Sequence, residues 1–528
     1  MMGVARPAPR LRALPPNTWW WVLAGVVMLP AAAPLGVLAY GLVSGVVTTV
    51  PMARLLELAA NTGALGAAVT STSLLIGGAS AWLVSRTDLP GKKLATVLVL
   101  TPFAVPSFVG ALALLGATGA DGILSTAWAW MGGDVIRYPS GFWAAWLVLT
   151  LISVPLVHLA VAPAVRSLNP TLEEAARGLG AGRLKVFWTV TLPQLRPSLT
   201  AGALLVGLYT LSDFGAVSLL RYDTFTRAIY LEYAGRVDRR PALGLAAVLA
   251  AVAVLLVWLE RGTRTRGVWF TARPRRTGSP VRLGLGGKIL GWGFLGTLVT
   301  VSLLVPVAVL IAWVMRGLIS GVLVNQPWAE LGRSMWVALL TALVAGVVVA
   351  PVAMVTTRYR NRWAGLLEGG AWALYGVPHI AVGMAMIVFT LWLARPLYQT
   401  LVLLVGVYVV MFLPQILGPS RDSLGRVSPS MEEASRSLGR SPLRTFMGIT
   451  LPLMAPGLLS GAALVFLTTL RELPATLLLR PAGFETLAIR VWSATGEGFY
   501  TQGALAGLLL LLVAALPLAI VTRHELIR

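Results

Sequence analysis

Two carboxylates, Asp213 and Glu472, lie inside otherwise apolar stretches of the chain. An acid in such a setting is costly and ordinarily faces a pathway or a partner. Facing each other, the two would offer hard oxygen ligands of the type that suits a hard cation; paired locally, Glu472 with the adjacent Arg471 for example, each would instead hold helices together. Little else in the sequence suggests bond-making chemistry. The histidines, His158, His379 and His524, are too scattered for metal-ligand spacing, and the absence of cysteine removes thiolate nucleophiles, thiolate metal sites and disulfides. Gly291-Trp292-Gly293-Phe294-Leu295-Gly296 imitates a dinucleotide fingerprint, but it sits in an apolar run with no preceding strand. Gly287-Lys288 lacks the upstream glycine and the following Ser or Thr of a phosphate loop. No catalytic residue, no metal site and no cofactor are expected in this chain.

The elements that must position the two acids are membrane spans. Of 528 residues, 57% are hydrophobic and 12% charged, against about 25% charged in a soluble domain, and the mean hydropathy is +0.80. That leaves too few polar side chains for a water-facing surface. Apolar stretches of about 20 residues, the length needed to cross a bilayer as helix, fall near 19–46, 62–84, 95–116, 141–164, 198–219 and 242–259, then near 287–315, 334–356, 364–394, 398–418, 455–479 and 502–522. An all-α membrane protein of about twelve transmembrane helices is expected. The net charge of +22 does not imply nucleic acid, because the basic residues recur at loop intervals rather than forming one face. Most of them fall on one side of the predicted spans, which makes that side, with both termini, cytoplasmic. Ala31-Ala32-Ala33 imitates a signal-cleavage site, but Pro34 and an apolar run continuing to Val47 favour a retained first helix.

The chain repeats itself. Arg86 and Pro106 recur 272 residues later as Arg358 and Pro378, whereas Pro170, Phe187, Pro193, Pro197, Arg221 and Phe225 recur 259 residues later as Pro429, Phe446, Pro452, Pro456, Arg480 and Phe484. The first half therefore carries 13 extra residues, placed in the outside loop Ala117 to Ser140, where length is cheap. The expected organisation is a first half over 1–260, a basic cytoplasmic linker over 261–286 containing Pro274, Gly278 and Pro280, and a second half over 287–528. Six spans per half is an even number, so the halves run parallel, an arrangement that puts a pathway between them.

The cytoplasmic loops after the fourth span of each half, about 168–193 and 427–452, share a pattern. The first reads Glu174-Ala175-Ala176, three residues, Gly180, nine residues, Val190-Thr191-Leu192-Pro193; the second reads Glu433-Ala434-Ser435, three residues, Gly439, nine residues, Ile449-Thr450-Leu451-Pro452. Pro170 and Pro429 suit the start of a short helix, with Glu173, Glu174, Glu432 and Glu433 in its first turn, where carboxylates favour the helix dipole. Gly180 and Gly439 then end it in a left-handed cap. The pattern resembles the EAA loop of the integral-membrane permeases of ABC importers, with Val190 and Ser435 as mild departures. The resemblance implies two parallel six-helix type I permease repeats in a bacterial plasma (inner) membrane. It also implies an extracytoplasmic substrate-binding protein and an ABC ATPase subunit dimer that uses ATP and Mg. Docking of that dimer would fall to the loop residues named above, including Leu192, Pro193, Leu451 and Pro452. The alternative for these loops is an ordinary amphipathic connector.

A fused pair of halves resembles iron(III) permeases and, more distantly, thiamine permeases. Ser212-Asp213-Phe214-Gly215-Ala216-Val217 with Arg221-Tyr222-Asp223-Thr224-Phe225, and Arg471-Glu472-Leu473-Pro474-Ala475-Thr476 with Leu479-Arg480-Pro481 and Trp492-Ser493, are similar to the iron group. Arg221 and Arg480 either meet the docked binding protein or snorkel to the interface. A gradient-driven secondary transporter also uses parallel six-helix halves, but it needs no duplicated docking loop.

Overall fold

The computed structural model describes residues 18–119, 122–132, 139–263, 281–321, 326–359 and 361–527. Most of the basic linker, and the basic residues before Thr18, lie outside the described residues. Among the described residues there is no strand, only a single bridge between Thr87 and Val281. The first half runs α1 Thr18–Val43, α2 Met52–Arg86, α3 Lys92–Leu100, α4 Ser107–Thr118, α5 Ile123–Trp130, α6 Phe142–Arg166, α7 Pro170–Gly178, α8 Arg183–Val186, α9 Leu192–Ser212, α10 Gly215–Leu219, α11 Phe225–Gly235 and α12 Arg240–Thr263. The second runs α13 Leu285–Val299, α14 Val305–Ile319, α15 Trp328–Arg358, α16 Arg362–Gly376, α17 His379–Leu393, α18 Leu401–Gly425, α19 Pro429–Ser437, α20 Pro442–Thr445, α21 Leu451–Leu470, α22 Pro474–Leu479, α23 Leu487–Gly496 and α24 Tyr500–Ile527.

From α2 onward the second half reproduces the order of the first, except that α5 has no counterpart; this short helix lies in the loop to which the sequence assigns the extra residues. Among the described residues nine helical stretches are long and apolar enough to cross a bilayer, and α16 with α17 makes a tenth if read as one broken span. The two other positions where the sequence predicts spans, 198–219 and 502–522, carry α9 with α10, and α24. The start of α9, with Gln194, Arg196 and two prolines, dilutes its hydropathy, and the helix stops at Asp213. With no water in the hydrocarbon to satisfy open backbone groups, such stretches must be helical.

Four of these helices are interrupted at repeat-equivalent places. The first break, between α3 and α4, contains Pro102 and Pro106, and the break between α16 and α17 contains Pro378. The break between α9 and α10 falls at Asp213-Phe214, and that between α21 and α22 at Arg471-Glu472-Leu473 before Pro474. A proline lacks the N–H that would continue the ladder and its ring crowds the preceding turn.

The chain packs as two compact units. One comprises Met1–Ala33 (described from Thr18), Thr341–Tyr375 and Val409–Val465; the other comprises Pro34–Leu340, Gly376–Tyr408 and Phe466–Arg528. In the first, α21 lies so close to α18 that a Cβ on Gly461 would stand 2.6 Å from Ile416 Cα. In the second, α2 meets α6 at Gly77, where a Cβ would stand 2.6 Å from Val157 Cβ and 2.9 Å from the Val154 carbonyl oxygen. Small residues at such crossings let backbones approach, which is how helices gain dispersion contacts when lipid is as apolar as they are.

Candidate functional site

Each of the two patterned loops is a short helix, a left-handed turn and a second helical segment leading into a span. In the first, Asn169 caps α7 by accepting from the Thr171 amide at 3.1 Å, and Pro170 occupies the first turn. Gly180 has φ +82°, and the Ala181 amide donates to the Ala176 carbonyl at 3.0 Å while the Gly180 amide donates to Arg177 at 2.9 Å. In the second, Pro429 opens α19, Gly439 has φ +80°, and the amides of Arg440 and Gly439 donate to Ser435 and Arg436 at 3.3 and 2.9 Å. Both turns are complete Schellman caps, and the left-handed position is why glycine stands there. A π-turn, Phe187–Thr191 or Phe446–Thr450, precedes Leu192-Pro193 and Leu451-Pro452. Pro193 and Pro452 supply no amide to Thr189 and Gly448 four residues back, so the local ladder widens.

The acidic pair at the head of each loop helix divides. Glu174 and Glu433 are exposed, but Glu173 and Glu432 are buried. Glu173 Oε2 accepts from Arg86 Nη2 at 2.6 Å and Oε1 accepts from the Thr191 hydroxyl at 2.9 Å. Glu432 Oε1 accepts from Arg358 Nη2 at 2.7 Å and from the Thr450 hydroxyl at 3.1 Å. Arg86 and Arg358 are visible in the sequence as a recurring residue; their partners are not, because 87 and 74 residues separate the ion pairs. Ser435, the departure from the pattern, is hydrogen-bonded to the Thr445 hydroxyl at 3.1 Å, where the first loop has the apolar pair Ala176 and Val186. Facing outward are Leu172, Leu179, Leu184 and Trp188 on the first loop and, at the equivalent positions, Met431, Leu438, Leu443 and Met447 on the second.

Asp213 and Glu472 come together on a cavity of about 140 Å³ within the larger unit, formed at the four helix breaks. Its walls are largely repeat-equivalent pairs: Ser107 with His379, Tyr209 with Thr468, Ser212 with Arg471, and Asp213 with Glu472. The acids are engaged with protein. Asp213 Oδ1 accepts from the amides of Ala216 and Val217 at 3.0 and 3.4 Å, closing the start of α10, and Ser107 lines the same cavity. Glu472 Oε1 accepts from the Ala475 amide at 2.9 Å at the start of α22, and Oε2 lies 2.7 Å from His379 Nδ1. Arg471 does not pair with Glu472 in this arrangement; its Nη1 donates to the Phe103 carbonyl at 2.6 Å, and its guanidinium lies 4.9 Å over the Phe103 ring. Among the described residues no three of His, Asp and Glu gather as a metal-holding group. His379 is thus hydrogen-bonded within the bundle; the signal for its place here is its 272-residue offset from Ser107, each following a repeated proline.

An interrupted helical membrane chain with a duplicated loop of this geometry is the architecture of a transport permease, and the comparisons agree. The chain belongs to the binding-protein-dependent transport system inner membrane component family, which matches it over residues 73–266 and 342–524. It is a multi-pass membrane component of a transport system rather than an enzyme. It is 30% identical over 523 residues, 96% of this chain and 99% of the relative, to the Fe(3+)-transport system permease protein FbpB 2 of Haemophilus influenzae. It is also similar to the molybdenum transport system permease protein ModB of Escherichia coli, 33% identical over 37% of this chain and 88% of ModB. The sulfate transport system permease protein CysW of Synechocystis is 32% identical over 35% of this chain and 68% of that protein.

Proposed function

We propose that this chain is the membrane permease of an ATP-driven importer for iron(III). The observation that carries the cargo is coverage: the Fe(3+) permease matches almost end to end, whereas the molybdenum permease is matched along most of its own length by little more than a third of this chain. In this reading the chain sits in the bacterial inner membrane with both termini cytoplasmic. It is organised as halves over 1–260 and 287–528 joined by the linker 261–286. An extracytoplasmic binding protein delivers the cargo, and two ATPase subunits, which bind ATP and Mg, dock on the loops about 168–193 and 427–452. Exposed Glu174 and Glu433 beside the outward leucines support that docking, since a mixed apolar and charged face suits a partner surface.

Cargo passes the cavity between Asp213 and Glu472. Both acids already accept amide hydrogen bonds, so their oxygens hold the broken helix ends while lending negative charge to the path. A transit site must release what it binds, which favours such shared oxygens over a closed cage. The test is reconstitution with the cognate ATPase and binding protein, followed by ATP hydrolysis with the binding protein loaded with ferric iron, thiamine, molybdate or sulfate. Stimulation by iron alone is expected. Stimulation by another cargo alone keeps the importer and overturns iron, and the absence of any ATPase association overturns both.

A further inference from the structure

We propose that the two buried Arg–Glu–Thr triads, Arg86–Glu173–Thr191 and Arg358–Glu432–Thr450, are joints that carry the movement of each docking loop into the spans. This rests on the reading of the loops as ATPase docking sites. Each triad meets at a three-way junction. Arg86 is the last residue of α2 and Arg358 the last of α15; Glu173 and Glu432 lie in the first turns of α7 and α19; Thr191 and Thr450 immediately precede α9 and α21. One carboxylate therefore ties the end of one span, the loop helix and the start of the next span. Arg358 adds a bond from Nη1 to the Val427 carbonyl at 3.0 Å, at the entry to its loop.

Three features separate a joint from ordinary packing. The acids are nearly enclosed, with side chains 6% and 10% exposed, so they do not form part of an outward docking face. A buried ion pair loses hydration that only close geometry recovers, and apolar residues of equal size would hold static helices at least as well. What the charge adds is a preferred arrangement. Finally, the same three partners meet in both halves, through two carboxylate oxygens in the first and one in the second, although the arginine repeats at an offset of 272 residues and the acid and threonine at 259, and in both copies the arginine Nε is buried without a hydrogen-bond partner. The guanidinium is held by its outer nitrogens alone, a grip that turns with the loop helix.

The experiment uses the full transporter in proteoliposomes and reads two quantities: affinity of the ATPase subunit for the permease, and cargo imported per ATP hydrolysed. Arg86→Gln with Arg358→Gln is expected to leave docking within about threefold and to lower import per ATP about tenfold, the scale of one lost hydrogen bond to a charged group. Thr191→Val with Thr450→Val preserves shape and the ion pair, and is expected to lower the same ratio by about threefold. Arg86→Lys with Arg358→Lys restores part of it. Import per ATP is the decisive readout, since loss of folded protein lowers import and hydrolysis together. An unchanged ratio in the threonine pair and in whichever arginine pair reaches the membrane overturns the joint, as does a loss of docking that accounts for the whole loss of import. If the unmodified chain fails to bind the ATPase, the docking reading itself falls, and that outcome is visible before any variant is made.

Discussion

Leu179 and Leu438 follow the loop helices directly and are 89% and 83% exposed, although nothing about a polar loop calls for a bare leucine. If they are the apolar contacts of ATPase docking, replacing either by Ala removes three carbons that would be buried on assembly. At about 0.8 kcal/mol per buried CH₂, scaled by the fraction open to burial, the loss is about 2 kcal/mol per loop. That weakens binding about 30-fold for one variant and about a thousandfold for both. Because the side chains touch little in the free protein, folding stability should move by no more than about 0.5 kcal/mol. The assay is titration of the ATPase subunit onto the permease in nanodiscs, with thermal unfolding of the permease alone as control. A double variant that binds within about threefold of the parent refutes the reasoning, because leucines this exposed can escape burial only if the partner docks elsewhere.

Gly180→Ala and Gly439→Ala force a Cβ into a left-handed turn at a cost of roughly 1–2 kcal/mol each; faster hydrogen exchange at the Ala181 and Arg440 amides is the expected sign. Gly461→Ala, which must displace Ile416, is expected to lower stability by about 1–3 kcal/mol, whereas Gly202→Ala at the equivalent crossing has a nearest neighbour at 3.6 Å and should be nearly neutral; thermal unfolding in detergent compares them. The Asp88 carboxyl is held below its ordinary range by the Leu283 amide and then Lys288, so its contribution is present above the unfolded value of about 3.9 and is lost as pH falls through the lower folded value. Proteolysis at Arg282 should therefore be unchanged from neutral pH down to about 4 and accelerate only in stronger acid, and Asp88→Asn should show the acid rate at neutral pH.

The spans were legible because their signal is local: twenty apolar residues in a row leave no alternative to helix in a bilayer. The loops were legible for a similar reason, since Pro170, Gly180 and Pro193 each act within a turn of their own position, and the same punctuation recurs at Pro429, Gly439 and Pro452. What the sequence could not supply were pairings made at a distance. Glu173 and Glu174 look alike on paper, and both satisfy a helix dipole; only the position of Arg86 decides that the first turns inward while the second stays in water. The partner of Glu472 was out of reach for the same reason: Arg471 is adjacent in sequence, but Oε2 meets the imidazole of His379, 93 residues away.

The cavity carries that point further, because duplication makes its two sides comparable. Proline precedes Ser107 and His379 alike, and an acid caps the short helix after each later break, so the repeat preserves the backbone device that interrupts four spans. It does not preserve the charge. The first half contributes Ser107 and Ser212 around its acid, where the second contributes His379 and Arg471. A symmetrical pair of carboxylates would present a cation with equal sides and a deep well. In the proposed importer, an arginine and a histidine beside one acid and two serines beside the other would make the path unequal on its two sides, and an ion that is held from one side only can leave. In the proposed importer the doubled backbone would form the cavity, and the unequal side chains would set how tightly cargo rests there.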